Sequence, residues 1–186
     1  MKTEKQLRQE WRTPDDLFEM LDHEVGGFNV DVAADVHNTK CYGMISQEMD
    51  ALSMLQPWFG RHLYNTNELI TSTKVWCNPP YADPAPWITK AFMETYSNPG
   101  SVVYMLLNHD ASTKWYKTAT QQCAEIRIMT GGRVKFTPAD ESITDNKAPN
   151  KGQCLLVFRH TPAPCHVWHW DWKQDLEMFE AGQNDD

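Results

Sequence analysis

Val75-Trp76-Cys77-Asn78-Pro79-Pro80-Tyr81 decides the fold, because it joins an apolar strand to an abrupt stop. Lys74 to Cys77 has strand composition. The two prolines that follow lack the N–H a sheet ladder needs, so the strand ends at Asn78. Further on, Ser101 to Leu107 is an apolar run of the kind buried on both faces of a parallel sheet. Pro86 to Tyr96, between the two, has helical length and spacing. Upstream, Thr13-Pro14-Asp15-Asp16 reads as a helix start, with a hydroxyl N-cap, proline in the first helical position and acids in the first turn. Leu17, Leu21 and Val25 recur on one face, and the helix runs to about Glu24 before Gly26 and Gly27 break it. Phe28 to Ala33 predicts a short strand containing Asp31.

Downstream, Ser112 to Gln122 predicts a helix, Glu125 to Met129 a strand, Gly131 and Gly132 a turn, Arg133 to Phe136 a short strand and Gly152 to Arg159 another. Residues 35–73 are polar and turn-rich and resist assignment. Strands alternating with helices predict one α/β domain over residues 1–186. Its sheet is covered on both faces and mostly parallel, with an antiparallel strand near the C-terminal end.

Composition narrows the class. The 186 residues, 41% of them hydrophobic, suffice for one sizeable core. The longest apolar runs, such as Val102 to Leu107, fall far short of the roughly 20 residues of a membrane span. The charged start Met1-Lys2-Thr3-Glu4-Lys5 is unlike a signal peptide, so the expected location is the cytoplasm. Five cysteines form no C-x-x-C pair and read as reduced, structural thiols. Two candidate metal groups, His37 with Cys41 and His160 with Cys165, His166 and His169, lack established zinc spacing, so no metal is expected.

With 25 acids against 17 bases the formal charge is −8, which excludes a protein that coats nucleic acid broadly. The excess is local. Residues 171–186 hold six acids and one base and form an acidic extension. Residues 111–135 hold Lys114, Lys117, Arg127, Arg133 and Lys135 against Glu125 alone. A focused, salt-sensitive contact with an anionic partner remains compatible with that distribution.

The chemistry centres on Asn78. Ligands of open α/β sheets bind at the carboxyl ends of strands, where Asn78 stands. The Asn78 side chain and the Pro79 carbonyl, in a turn stiffened by Pro80, suit two acceptors for the two hydrogens of an exocyclic amine. Tyr81 offers a flat face for the same base. The plainer alternative is a turn in which Asn78 caps a backbone and Tyr81 packs in the core.

Asn-Pro-Pro-Tyr after an apolar strand is similar to the D/N-P-P-Y/F signature of S-adenosylmethionine-dependent amino-methyltransferases. The surrounding blocks resemble the phage-type DNA N6-adenine methyltransferase (Dam) family. They are Trp11 to Phe18, Phe28 to Asp35, Asn38 to Cys41, Asp50 to Leu52, Cys77 to Tyr81, Trp115, Gly132 to Phe136 and Gly152 to Phe158. They occur in family order across roughly residues 11–159.

The resemblance implies a three-layer, Rossmann-like methyltransferase sandwich that transfers methyl from S-adenosylmethionine to N6 of adenine in duplex DNA at a specific site. It also implies phage or prophage origin and protection from restriction. It makes Asn78, Pro79, Pro80 and Tyr81 catalytic. Trp11, Thr13, Pro14, Asp31, Ala33 and Asp50, together with Asn78, become the cofactor set, with Asp31 at the ammonium, Thr13 near the carboxylate and Asp50 at the adenosine end. Thr13 as a simple N-cap and Asp50 as a solvated loop acid stay open. The turn Asp31-Val32-Ala33-Ala34 has alanines where most methyltransferases have glycines, as the phage-type family does.

An adenine in a duplex must be flipped to reach such a pocket. Lys114, Lys117, Arg133 and Lys135 are the candidate phosphate clamp, with loop 137–151 as a segment that orders on substrate and residues 53–73, including Arg61 and His62, as a short base reader. Arg127 and Lys135 read equally as ordinary exposed strand residues. Trp168 to Trp172 could stack bases or a partner, but reads more readily as core or a docking patch, such as a contact in a homodimer or a cover over the sheet edge. Two other functions stay open: the same chemistry on RNA or a protein glutamine amide, and a catalytically silent anti-restriction or DNA-mimic protein.

Overall fold

The computed structural model describes residues 12–62, 70–137, 150–160 and 164–183, with backbone alone at 61–62 and 70–72. Helix α1 (Asp15–Val25) places acids in its first turn and buries Leu17, Phe18, Met20 and Leu21. Its N-cap is Pro14, and no side chain caps it. The start therefore lies one residue later than the Thr-Pro pattern predicts, and Thr13 is not a cap. The end is a Schellman turn. Gly26 sits at φ 71°, its N–H donating to the His23 carbonyl and that of Gly27 to the Asp22 carbonyl (3.1 and 2.8 Å).

Strand β1 (Val30–Asp31) is shorter than the Phe28 to Ala33 run. The Asp31 carboxylate accepts from the Ala33 N–H (3.2 Å), and this local bond turns the chain out of the sheet. The stretch without sequence assignment supplies β2 (Gly43–Met44), a 3₁₀ turn (Gln47–Met49) and an antiparallel pair, β3 (Gly60–His62) with β4 (Ile70–Ser72). Trp58 is fully buried there and donates from Nε1 to the Ala51 carbonyl (2.9 Å). β5 (Lys74–Cys77), helix α2 (Ala85–Ser97), β6 (Val102–Asn108), helix α3 (Lys114–Gln122), β7 (Glu125–Thr130) and β8 (Gln153–Arg159) follow close to expectation.

Two parts of the C-terminal half differ from it. Arg133 to Phe136 joins no ladder: its exposure alternates, but the Val134 N–H donates to the Gln153 side chain (2.9 Å). The place beside β7 is taken by β9 (His166–Asp171), which leads into helix α4 (Trp172–Gln183). The tryptophan run thus forms the covering edge strand. Trp170 and Trp172 are buried, and Trp172 Nε1 donates to the Gly132 carbonyl (2.9 Å). Gly131 and Gly132 are required there, because a Cβ on Gly131 would meet the Asp171 carboxylate at 2.2 Å.

The seven strands run in the order β2-β1-β5-β6-β8-β7-β9. The sheet is mixed: six strands share one direction and β8 runs against its neighbours β6 and β7. Two apolar clusters occupy its two faces. One packs Ile88 and Ala91 of α2 and Ala119 of α3 on Val103, Met105 and Leu156. The other packs α1 on Trp76, Tyr104 and Leu106. The chain moves from β1 to β2 on one side and returns to β5 on the other, so the carboxyl ends of β1 and β5 open a crevice at a topological switch point.

Among the described residues no helix is long and apolar enough to cross a membrane. Nor does any group of three or more His, Cys, Asp or Glu assemble at metal-holding distances.

Candidate active site

Register sets the centre of the site. Asp31 lies opposite Trp76 on adjacent parallel strands, so the residues that leave each strand, Val32-Ala33 and Asn78-Pro79, come side by side. Asn78 is half-buried, Pro79 buried and Pro80 exposed. The Asn78 Nδ2 donates to Thr13 Oγ1 (3.2 Å), and the Tyr81 hydroxyl donates to Asn78 Oδ1 (2.9 Å). Tyr81 meets Phe136 edge-on, with ring centres 5.9 Å apart at 71°. Burial pushes its phenol well above the ordinary range, so it acts as a donor and not as a base.

Two cavities lie at this turn, the first lined by Asn78 and the second by Tyr81. The first lies toward β1 and is lined by Thr13, Asp31, Ala33, Asn38, Lys40 and Asn78, with Arg12 and Trp76. Asp31, 4% exposed, accepts from the Ala33 and Lys40 N–H groups at 3.2 Å each. Burial outweighs those bonds and pushes its carboxyl up to about 7. A cation in this cavity offsets the desolvation that raises it, so the donor set fits a ligand carrying an ammonium. The second cavity is lined by Tyr81, Pro84, Leu107 and Trp115, with Asn108, Asp110, Thr113 and Lys151 as its polar lining. Lys151 pairs with Asp110 (2.6 Å) and, with the Ser112 hydrogen bonds, holds the Asp110 carboxyl down at about 2.

The sequence pattern pointed to Thr13, Asp31, Ala33, Asn78 and Tyr81, and the fold brings these together. Pro14 stands at the head of α1 and lines neither cavity. Asp50 is exposed, ends the 3₁₀ turn at φ 51°, accepts from the Leu52 N–H (3.3 Å) and also lines neither. Trp11 lies outside the described residues, as do most of loop 137–151 and the side chains of Arg61 and His62.

Lys114 and Lys117 are exposed on one face of α3, next to Thr113 and Trp115 of the second cavity. Arg133 and Lys135 are exposed on the segment whose Val134 and Phe136 turn inward. Arg127 is neither a phosphate ligand nor an exposed strand residue. It is buried, its guanidinium held by both Glu24 carboxylate oxygens (2.7 Å each) and by Glu125 (2.9 Å), and stacked near Tyr104, Trp168 and Trp170. Sequence reasoning gave no role to Asn108 and Asp110, although their place at the carboxyl end of β6, next to β5, was the available signal.

The model of a family described as DNA N-6-adenine-methyltransferase (Dam) matches residues 1–184. The match runs past residue 159, where the motif resemblance ended, and takes in β9 and α4. A DNA N-6-adenine-methyltransferase of Haemophilus phage HP1 is 31% identical over 157 residues, covering 84% of this chain and 82% of its own. One of Escherichia phage T1 is 32% identical over 169 residues, covering 82% of this chain and 63% of its own length. No solved structure matches the chain.

Proposed function

The chain belongs to the DNA N-6-adenine-methyltransferase (Dam) family, and from that premise we propose that it transfers a methyl group from S-adenosylmethionine to N6 of adenine in duplex DNA, within a Rossmann-like three-layer fold. The observation that carries the assignment is the Asn78 carboxamide, which lines a cavity with a buried carboxylate and accepts from Tyr81, a residue that with Trp115 lines a second cavity. Phage or prophage origin follows from the phage source of both relatives, and action in the host cytoplasm and protection from restriction go with it.

Bound S-adenosylmethionine supplies an electrophilic methyl group. Asp31 attracts the ammonium of the methionine part, and Ala33 and Asn78 line the same cavity. The Asn78 oxygen and the Pro79 carbonyl take the two amine hydrogens and orient the nitrogen lone pair. Tyr81 and Trp115 form flat walls for the flipped base. The amine proton leaves to water after transfer, so no strong side-chain base is required. Incubation of the full chain with labelled cofactor and unmethylated phage DNA, then nucleoside mass spectrometry, tests this. N6-methyladenine is expected. Label in RNA or protein alone, or no cofactor binding by calorimetry, would overturn it.

Asp31 makes cofactor binding pH-dependent. Its carboxyl is neutral below about 7 and attracts an ammonium only when ionised, so affinity rises with pH. Calorimetry is expected to find binding about tenfold weaker at about pH 6 than at about pH 8, and Asp31→Asn is expected to bind more weakly and lose that part of the slope. The free protein has the opposite sign. The unfolded carboxyl titrates near its ordinary 3.8, so Asp31 costs stability progressively as pH rises from there through 7.

Lys114, Lys117, Arg133 and Lys135 are the proposed phosphate clamp. Fluorescence anisotropy over a salt series should find that each Gln substitution removing a phosphate contact reduces the slope of log K on log salt by about 0.9. Unchanged slopes across all four would place the clamp elsewhere.

A further inference from the structure

We infer that the hydroxyls of Thr13 and Tyr81 fix which way round the Asn78 carboxamide sits, so that the enzyme offers an oxygen to the target base and selects an exocyclic amine over a ring carbonyl. The inference rests on the proposed base methylation. A carboxamide turned by half a turn keeps its shape but exchanges its acceptor for its donors. With Nδ2 toward the base, an amine would meet an N–H donor in place of one of its two acceptors, and a carbonyl would be welcomed. Something must therefore hold the oxygen in place before substrate arrives.

The surroundings of Asn78 do this. Its nitrogen donates to Thr13 Oγ1 (3.2 Å), and its oxygen accepts from the Tyr81 hydroxyl (2.9 Å). Either hydroxyl alone can give or take a hydrogen bond. Together they choose, because phenol lone pairs are drawn into the ring, which makes a phenol a better donor and a poorer acceptor than an aliphatic alcohol. The observed sense sets each hydroxyl in its stronger role, and the reversed sense sets both in the weaker one.

Burial sharpens the preference. Thr13 is 2% exposed, so water does not stand in for it, and the Tyr81 phenol is kept protonated by its surroundings. The position of Thr13 is itself held. The Arg12 backbone exchanges hydrogen bonds with Thr137 (2.8 and 3.0 Å) just before it, and the first bond of α1, from the Phe18 N–H to the Pro14 carbonyl (3.1 Å), closes just after it. Thr13 is thus a positioning residue acting through Asn78, and the Tyr81 hydroxyl has a task separate from that of its ring.

The test uses the full chain, S-adenosylhomocysteine and duplexes with the site mapped from wild-type methylation, carrying either adenine or hypoxanthine at the target. Hypoxanthine puts a carbonyl where adenine has its amine. Wild type is expected to bind adenine over hypoxanthine by about tenfold or more, the worth of one buried hydrogen bond. Thr13→Val, equal in shape, is expected to bring that preference to about threefold or less and to lower kcat about tenfold, beyond any change in cofactor KM from its place in the first cavity. Thr13→Ser should restore both. Tyr81→Phe, which keeps the ring, should also erode the preference, and it carries the test if the valine variant does not fold. Retention of full preference in the folded variants, or a loss confined to cofactor KM, overturns the inference. A wild type that makes no N6-methyladenine overturns the functional assignment instead.

Discussion

Asn78→Ala is expected to lower kcat for adenine methylation by about a hundredfold to a thousandfold, the range for deleting one preorganised polar group at a reacting centre. Its cofactor affinity should stay within a few-fold of wild type. The substitution removes the acceptor proposed to orient the amine and leaves Asp31 and Ala33, which line the proposed cofactor cavity, in place. Labelled methyl transfer and calorimetry on the same preparation separate the two effects. Asn78→Asp keeps acceptor oxygens and should retain more activity than the alanine variant. Full activity in Asn78→Ala would remove the amine-orienting role.

Arg127→Ala is expected to destabilise the fold by about 3 kcal/mol, the lower end of the range for breaking a buried ion pair. The lower end applies because the Glu24 side chain is 40% exposed and water screens it. Thermal unfolding should shift down by about 6 to 12 °C for a chain of this length. DNA affinity at a temperature where the variant stays folded should not change, because Arg127 is committed to Glu24 and Glu125. The pH dependence has a definite sign. The Arg127 and Tyr104 hydrogen bonds outweigh burial and hold the Glu24 carboxyl below its ordinary 4.5. Its stabilisation is therefore present above that pH and is lost as pH falls through the folded value. Arg127→Ala should flatten the acid limb of the stability curve.

The strands and helices that carry the site were legible because each pairs an apolar pattern with a hard stop. Prolines end β5, the double glycine ends α1, and the run through Leu107 has no rival reading. The candidate centre was legible for the same reason, since Asn78 follows one apolar strand and Asp31 ends another. What stayed hidden depends on partners distant in the chain. Arg127 looks like a surface cation until Glu24, 103 residues away, closes on it. β9 is rich in tryptophan and histidine, and its half-exposed alternation gains meaning only from the edge of β7. The 35–73 stretch builds strands of only two or three residues, whose pairing is set by neighbours. The second cavity draws on β6, α3 and the chain before β8, a grouping that no local pattern encodes.

The support beneath α1 bears on the order in which the protein is made. Thr13 and the helix it precedes leave the ribosome early, yet α1 rests on α4, where His23 meets Phe179 with ring centres 5.4 Å apart, and on Arg127 of β7. Until those late segments emerge, the apolar face of α1 has only part of its bed, and contacts of such long sequence separation form slowly. The Asn-Pro-Pro-Tyr turn is local in the chain, whereas the bed of the helix behind Thr13 is built from segments more than a hundred residues away.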